Sequence, residues 1–226
     1  MKTTNKSVAL LFSGGQDSFL SAIRLIERGY KLHLLTFDNG CMRGLSNVQR
    51  SVSRLRRRYG NKILTYKILN ITYPISVLRE TYINTSIAQM AEVHPGLTIN
   101  QVNCLTCHTA MLIKAIQYCK QNNISIIAEG ARRSQLFATQ QPEILRQYKQ
   151  LLSKNNLHLL LPVEGIADDY TVKMLIADAG FLPKMYEAQC YVGHPMNLPL
   201  QTKQLKSISR FLHDVLIDKA KVEDLI

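Results

Sequence analysis

A short apolar run that ends in a glycine-rich loop is the feature that most restricts how this chain can fold. Residues 8–12 read Val-Ala-Leu-Leu-Phe, a continuous apolar segment that suits a strand buried on both faces. The loop at residues 13–18, Ser-Gly-Gly-Gln-Asp-Ser, follows at once. Apolar residues then recur at helical spacing as far as Gly29, which ends the helix. The pattern predicts a strand, a tight loop and a helix in direct succession.

The rest of the chain alternates in the same way. Further strands are predicted near residues 32–37, 63–68, 124–128 and 157–161. Helices are predicted near residues 47–59, 77–90, 106–121, 143–152, 169–179 and 204–220. Strands that alternate with helices favour an α/β fold, with an open parallel sheet, helices on both faces and right-handed crossovers. We therefore expect a Rossmann-like architecture.

The loop at residues 13–18 has the composition of an anion site. In an open parallel sheet, ligands bind at the carboxyl ends of the strands, where this loop lies. Two glycines let successive amides and the helix N-terminus point at one anion, and the serine hydroxyls add donors. A phosphate group fits this arrangement. The loop is not a Walker A motif, because no Gly-Lys-Ser/Thr follows, and it lacks the third glycine of the dinucleotide fingerprint.

The string SGGxDS after an apolar strand resembles the PP-loop of the ATP pyrophosphatase superfamily, also called adenine nucleotide alpha hydrolase-like enzymes. The resemblance covers most of residues 7–180 and implies a PP-loop fold of the HUP type. It implies that ATP is bound by Ser13, Gly14, Gly15, Gln16, Asp17, Ser18, Thr36, Phe37 and Gly130. It also implies that Mg²⁺ neutralises the phosphates, with Asp17, a candidate catalytic residue, helping to hold the ion.

The resemblance further implies adenylation chemistry. A carbonyl oxygen of the acceptor attacks the α-phosphate of ATP, pyrophosphate leaves, and a nucleophile later displaces AMP. The stretch Pro162-Val163 followed by Lys173 on a helix is similar to the C-terminal pattern of the superfamily, which makes Lys173 a candidate catalytic residue.

The residues after Gly130 depart from the superfamily pattern. Many relatives carry an acidic residue soon after this glycine, whereas this chain has Ala-Arg-Arg-Ser-Gln at residues 131–135. Arg132 or Arg133 is therefore a candidate clamp for the charge that develops on a phosphate during transfer. The alternative is a solvated loop arginine.

Three of the five cysteines form a candidate metal or sulfur site. Cys104 and Cys107 are a Cys-x-x-Cys pair at the predicted start of a helix, and Cys190 lies in a polar segment far along the chain. Such a pair can place both sulfurs on one metal ion or one cluster edge. Cys119 lies on an apolar helix face and is expected to be structural. An odd number of cysteines without an export signal favours reduced thiols over disulfides.

A PP-loop followed by a Cys-x-x-Cys pair and one distant cysteine resembles the tRNA thiolation enzymes that bind a 4Fe-4S cluster through three cysteines. In that group the fourth iron stays open to carry sulfur. The resemblance implies an ATP-dependent sulfurtransferase acting on a nucleobase of tRNA, with Cys104, Cys107 and Cys190 as cluster ligands and catalytic residues. Two alternatives remain open: a persulfide relay between the same cysteines, and a zinc site completed by His108 or His194.

The opening of the chain also resembles 7-cyano-7-deazaguanine synthase, which shares the SGGQDS string and a Thr-Phe-Asp strand end. That family closes with a four-cysteine zinc cluster, whereas only Cys190 lies beyond residue 119 here. Two further functions therefore stay open. One is the same adenylation chemistry on a small molecule, and the other is a module that binds ATP without catalysis.

The positive charge of the chain favours a polyanionic partner. The net charge is +12 and the pI is about 9.6. On the predicted helix at 47–59, the outer face carries Arg50, Arg54, Arg57 and Arg58. More positive residues follow near the C-terminus: Lys203, Lys206, Arg210, Lys219 and Lys221. These residues suit contacts with an RNA backbone.

The expected partners and location follow from these features. We expect tRNA and a sulfur donor, either a protein or sulfide, with a homodimer as a further alternative. The apolar run at residues 8–12 is too short for a signal peptide or a membrane span, so a cytoplasmic location without a membrane partner is expected. The expected division is a nucleotide-binding domain at residues 1–185, with an insertion near 72–103, and a C-terminal segment at 186–226.

Overall fold

Parallel strands form the central sheet of the computed structural model, which describes residues 6–191, 200–219 and 225. The strands in chain order are β1 (Ser7–Leu11), β2 (Lys31–Asp38), β3 (Met42–Arg43), β4 (Ile63–Asn70), β5 (Ile126–Ala128), β6 (His158–Leu160) and β7 (Gln189–Cys190). Five of them lie side by side in the order β4-β2-β1-β5-β6, all parallel. The short strands β3 and β7 form a separate antiparallel pair. His194 and Lys221 lie outside the described residues.

Helices cover both faces of this sheet. They are α1 (Gln16–Glu27), α2 (Leu45–Tyr59), α3 (Thr72–Glu80), α4 (Ile87–Val93), α5 (Ile99–Gln121), α6 (Pro142–Lys154), α7 (Asp169–Asp178) and α8 (Thr202–Arg210). Short 3₁₀ turns occur at Gly60–Lys62 and Ala138–Gln140, and a π-helical stretch spans Phe211–Lys219. The predicted α/β fold with an open parallel sheet is confirmed.

Strand β1 divides the apolar core into two layers because successive side chains of a strand point to opposite faces. Ala9 and Leu11 pack with the buried side chains of α5 and α6. Val8 and Leu10 pack on the other face, with those of α1, α2 and α7. An apolar run without alternation is therefore what a strand covered on both faces requires.

Two predicted helices differ from those observed. The helix predicted near 77–90 is two helices, α3 and α4, with a turn between them. The helix predicted from residue 106 begins at Ile99, because Thr98 and Gln101 form a capping box at its start. Cys104 and Cys107 therefore lie within α5 and do not open it. Across the part of the chain described here, no helix is long and apolar enough to cross a membrane.

The last described helices pack on the same core as the sheet. Ile208, Phe211, Leu212 and Leu216 are fully buried and belong to the layer formed by α5 and α6. Burial of these four side chains shows that residues 202–219 depend on the rest of the fold for their packing. The boundary near residue 185 stays a prediction.

Gly130 provides a test of how tightly the end of the sheet packs against the loop at residues 13–18. A methyl group at Gly130 would lie 2.8 Å from the Asp17 carbonyl carbon and 2.8 Å from the Ser18 nitrogen. Because both are backbone atoms, Gly130→Ala should lower the free energy of unfolding by about 2 kcal/mol, measured by urea denaturation. Gly165→Ala is the matched control, since nothing lies within 4 Å of its added methyl group. Equal stability of the two variants would contradict the prediction.

Candidate active site

A cavity of about 530 Å³ opens at the carboxyl ends of β1, β2 and β5. Its size lies within the range of sites that hold a small ligand. Predicted nucleotide-binding residues that line it are Ser13, Gln16, Asp17, Ser18, Thr36, Phe37 and Gly130. Two predicted catalytic residues, Arg132 and Cys107, line it as well. The sheet thus brings most of the predicted site residues together at one edge, where parallel sheets bind ligands.

Hydrogen bonds from α2 and from within the loop hold residues 13–18 in shape. Gly14 has a φ of 82°, a conformation that glycine adopts readily, and its carbonyl accepts a hydrogen bond from Ser51 Oγ at 3.1 Å. The Gly15 N–H donates to Ser13 Oγ at 3.2 Å, and the Ser18 hydroxyl donates to the Gly15 carbonyl at 3.1 Å. Helix α1 begins at Gln16, so the positive end of its dipole faces the cavity.

The strand that precedes the cavity is tied to its neighbour by Thr36. Its buried hydroxyl donates to the Phe12 carbonyl at 2.5 Å, directly before the loop. Thr36 therefore joins β1 to β2 beneath the site, while Phe37 adds an apolar wall to the cavity.

A buried ion pair anchors Asp17. The Arg132 side chain is 3% exposed, and its Nε lies 2.7 Å from Asp17 Oδ1. A second nitrogen of the same guanidinium contacts Asp169, and Gln135 donates to Asp17 Oδ2 at 2.8 Å. Asp17 Oδ2 thus accepts a hydrogen bond, whereas Oδ1 lies in the ion pair with Arg132 Nε without hydrogen-bond geometry. Burial still raises the pKa of Asp17, against the opposing effect of Arg132. The role of Asp17 as a magnesium ligand stays a prediction.

The two arginines after Gly130 have different environments. Arg132 is not a solvated loop residue, because it is buried between two carboxylates. Arg133 is the exposed one, at 69%, and pairs with Glu164 at 3.1 Å. Lys173 is exposed on α7 and is absent from the cavity lining, although Asp169, one helical turn earlier, belongs to it.

The segment before β7 lies across the glycines of the loop. A methyl group at Gly14 would meet the Tyr186 carbonyl, and one at Gly15 would collide with the Glu187 carboxylate. Glu187 lines the cavity, and its pKa is raised by burial and by the negative charge of Asp17. A carboxylate therefore lies against the backbone that is expected to hold phosphate.

The three candidate cysteines come together beside the cavity. Cys104 and Cys107 lie three residues apart on α5, and Cys190 lies on β7. The side-chain amide of Asn39 contacts two of them, with Nδ2 at 3.5 Å from Cys107 Sγ and 3.4 Å from Cys190 Sγ. All three are partly buried, and Cys107 lines the cavity. The fold therefore places the three candidate cysteines beside the cavity that the loop at residues 13–18 lines.

The cysteine geometry differs from that of a single zinc ion. Among the described residues, the sulfurs of Cys104, Cys107 and Cys190 do not all lie within 4.8 Å of one another. A tetrahedral zinc ion would bring them to about 3.8 Å. His108 does not join them, because its Nε2 lies 3.3 Å from Glu129 and its ring stacks on Tyr148.

Burial controls the protonation of these thiols. It raises the pKa of Cys107 to about 11 and raises that of Cys104. Both are therefore thiols at neutral pH, and binding of a metal or cluster would release their protons. Cys119 is fully buried in the core, as expected for a structural cysteine.

Some of the arginines of α2 are exposed, whereas one is held by contacts with other parts of the chain. Arg50, Arg57 and Arg58 are exposed, as expected. Arg54 is not free, because it donates to the carbonyls of Leu182 and Lys184 and lies over two phenylalanine rings. Arg54 therefore holds the segment that leads to Glu187 and Cys190.

Three residues of the site were missed by the sequence interpretation. Asn39 directly follows β2, so the rule that ligands bind at strand ends could have identified it. Gln135 and Glu187 lie in loops far from residues 13–18 in the sequence, and no local pattern signals their contact with that loop.

Removal of Arg132 should destabilise the fold. Arg132→Ala leaves the partly buried Asp17 carboxylate without its cation, which should cost about 3 kcal/mol in urea denaturation at neutral pH. The deficit should shrink as the pH falls, because a protonated Asp17 needs no cation and its folded-state pKa is already raised. In the exposed control Arg133→Ala, the change should stay within about 0.5 kcal/mol. Equal losses in the two variants would contradict this account.

Neutralising Glu187 should strengthen nucleotide binding in the absence of magnesium. Glu187→Gln removes a negative charge next to the loop, which should tighten ATP binding in EDTA roughly fivefold, from about 1 kcal/mol of relieved repulsion. Isothermal titration calorimetry measures the effect. Glu164→Gln, outside the cavity lining, is the control and should bind like the unmodified protein. Weaker binding by Glu187→Gln would show that the carboxylate does not oppose the phosphates.

Solved structures with this fold include two synthetases. A 4-thiouridine synthetase in complex with RNA and bound ATP matches with a TM-score of 0.61 and 16% identity, over 97% of this chain and 52% of that one. NMN synthetase from Francisella tularensis matches with a TM-score of 0.57 and 11% identity, over 96% of this chain and 87% of that one. This chain therefore spans about half the length of the 4-thiouridine synthetase. Both matches show the α/β fold that the sequence predicts.

Sequence comparisons match this chain to a protein and to a family model. An uncharacterized protein from Methanocaldococcus jannaschii is 26% identical over 192 residues, which are 80% of this chain and 82% of that protein. The sequence model described as "Family of unknown function (DUF7411)" matches residues 6–181. That range contains the loop at residues 13–18, the Cys-x-x-Cys pair and Arg132. The chain therefore belongs to this family, DUF7411.

Proposed function

We propose that this protein is an ATP-dependent sulfurtransferase that adenylates a carbonyl oxygen of a nucleobase in tRNA and replaces that oxygen with sulfur. The observation that carries the proposal is the position of Cys107. Cys107 lines the same cavity as Ser13, Asp17 and Ser18, so the proposed sulfur site and the proposed phosphate-binding loop at residues 13–18 share one cavity.

The first step uses the loop at residues 13–18. The backbone amides at the start of α1, with the Ser13 and Ser18 hydroxyls, bind the pyrophosphate end of ATP. A base carbonyl oxygen attacks the α-phosphorus, an O–P bond forms, and pyrophosphate leaves with the electron pair of the broken bond. Mg²⁺ would neutralise the phosphates.

The second step needs sulfur at the oxidation level of sulfide, delivered by sulfide or by a donor protein. The sulfur adds to the activated carbon, the C–O bond breaks, and AMP leaves with the former carbonyl oxygen. No net oxidation or reduction occurs. The persulfide alternative differs, because it forms a disulfide between two cysteines and needs a reductant to restore them.

The cysteines suit a 4Fe-4S cluster as the sulfur carrier. Three partly buried thiols converge beside the cavity, an N–H donor faces two of them, and their spacing exceeds that of a mononuclear zinc site. Cys104, Cys107 and Cys190 would hold the cluster, which when bound supplies an iron without a protein ligand.

A tRNA substrate is supported by charge and by fold. Arg50 and Arg57 are exposed on α2. The 4-thiouridine synthetase of the same fold was solved with RNA and ATP. Together with the net charge of +12, these features suit a polyanionic substrate.

The proposal predicts a cysteine-dependent product. Anaerobically reconstituted protein, given ATP, sulfide and unmodified tRNA, should release AMP and pyrophosphate and form a thiolated nucleoside, detected by mass spectrometry after digestion. Cys107→Ser and Cys190→Ser should each lower the yield at least a hundredfold and lose bound iron, because each removes a proposed ligand. Cys119→Ala, in the core, is the control and should retain both.

Other outcomes identify the alternatives. Full activity in a colourless, iron-free protein would overturn the cluster and favour the persulfide relay. AMP release without any thiolated nucleoside would overturn the tRNA substrate in favour of a small molecule. ATP binding without any AMP release under all these conditions would identify a non-catalytic module.

A further inference from the structure

Asn39 lies where the nucleotide cavity meets the cysteine site. It directly follows β2 and lines the cavity together with Cys107. Its neighbour Asp38 accepts a hydrogen bond from the Gly40 N–H at 2.9 Å, which shapes the turn after the strand. The Asn39 side chain is therefore carried on a short turn at the end of a strand of the sheet.

The orientation of the Asn39 amide follows from its contact with Cys41. The Cys41 backbone N–H lies 2.9 Å from the Asn39 side-chain oxygen. A backbone N–H can only donate, so the atom that faces it must be the amide oxygen. The NH₂ group must then face the other way, toward the two sulfurs.

The two hydrogens of this NH₂ group match two sulfur acceptors. Nδ2 lies 3.5 Å from Cys107 Sγ and 3.4 Å from Cys190 Sγ. The two cysteines come from α5 and β7, which are remote in sequence. One side chain on a third element thus contacts both.

We propose that Asn39 is a positioning residue that fixes Cys107 and Cys190 on either side of its amide and donates one N–H to each sulfur while they hold the sulfur-carrying group. This inference rests on the proposed function, because it assigns to the two cysteines a shared role. Asn39 would orient the two cysteine ligands, although it is not part of the cysteine pattern in the sequence.

The chemistry of thiolates explains why an amide belongs at this position. A thiolate sulfur bound to iron carries negative charge, and N–H donors to it stabilise that charge and tune the potential of the centre. The other groups that act on Cys107 are Arg79 from α3, Cys104 from its own helix and Cys190 from β7. Unlike these three groups, Asn39 donates a hydrogen bond to the Cys107 sulfur.

The first experiment tests the contact in the metal-free protein by NMR. The two side-chain amide protons of Asn39 are assigned by the loss of their signals in Asn39→Asp. The signal of one proton should shift in Cys107→Ala, and the signal of the other should shift in Cys190→Ala. Cys119→Ala is the control and should leave both signals in place. The inference is overturned if neither cysteine variant moves the Asn39 signals. Because no cluster and no substrate are present, this result does not depend on the proposed function.

The second experiment tests the consequence in the reconstituted protein. Asn39→Asp keeps the oxygen that accepts from Cys41 and replaces the two N–H donors with a charged oxygen. It should release iron to a chelator roughly tenfold to a hundredfold faster than the unmodified protein and lower the reduction potential of the centre. Asn39→Ala, which adds no charge, should change both quantities in the same direction.

The matched control for this experiment is Asn70→Asp. Asn70 is the last residue of β4, paired with Asp38, and its side-chain oxygen accepts from the Thr72 N–H at 3.0 Å as that of Asn39 accepts from Cys41. The described hydrogen bonds of Asn70 include none to a sulfur. It should leave iron release and potential unchanged. A merely structural role for Asn39 would leave the potential unchanged too, and that result would overturn the inference. If the NMR contacts hold but no thiolated nucleoside forms, the proposed function fails and the positioning role of Asn39 stands.

Discussion

The ion pair between Arg132 and Asp17 is the interaction on which the rest of the site depends. Asp17 belongs to the phosphate loop, Arg132 to the loop after β5, and Asp169 begins α7, so one buried guanidinium joins three separate parts of the chain. A guanidinium that is 3% exposed is stable only with anionic partners, since removing its charge from water is costly. The same carboxylate, once bound to Arg132 and Gln135, has a fixed orientation within the loop.

The nucleotide and cysteine parts of the site are joined by one segment of chain. Residues 185–190 run from the cavity wall, across the glycines of the phosphate loop, to Cys190 on β7. Arg54 holds the beginning of this segment through backbone carbonyls, and the Ala188 N–H donates to the Ser13 carbonyl at 3.3 Å. Glu187, which lies against Gly15 of the loop, is on the same segment as Cys190.

Sequence reasoning succeeded where the signal was local. The parallel sheet, its strands and most of its helices follow from apolar runs and their periods, because a strand covered on both faces needs a continuous run such as residues 8–12. It failed where a capping box at Thr98 moved a helix start, and where a turn divided the helix predicted near 77–90. Arg54 was misread for another reason: its partners are carbonyls of residues 182 and 184, which helical spacing cannot reveal.

The sequence by itself determined that a glycine loop lies at a strand end and that three cysteines stand apart from the core pattern, since each feature is recognised from the residues directly around it. Only the tertiary structure decided that Arg132 is buried on Asp17, that Lys173 is exposed and outside the cavity lining, and that Asn39 contacts Cys107 and Cys190. The physical reason is that hydrogen bonds and ion pairs act over a few ångströms between side chains that the fold brings together, whatever their separation along the chain.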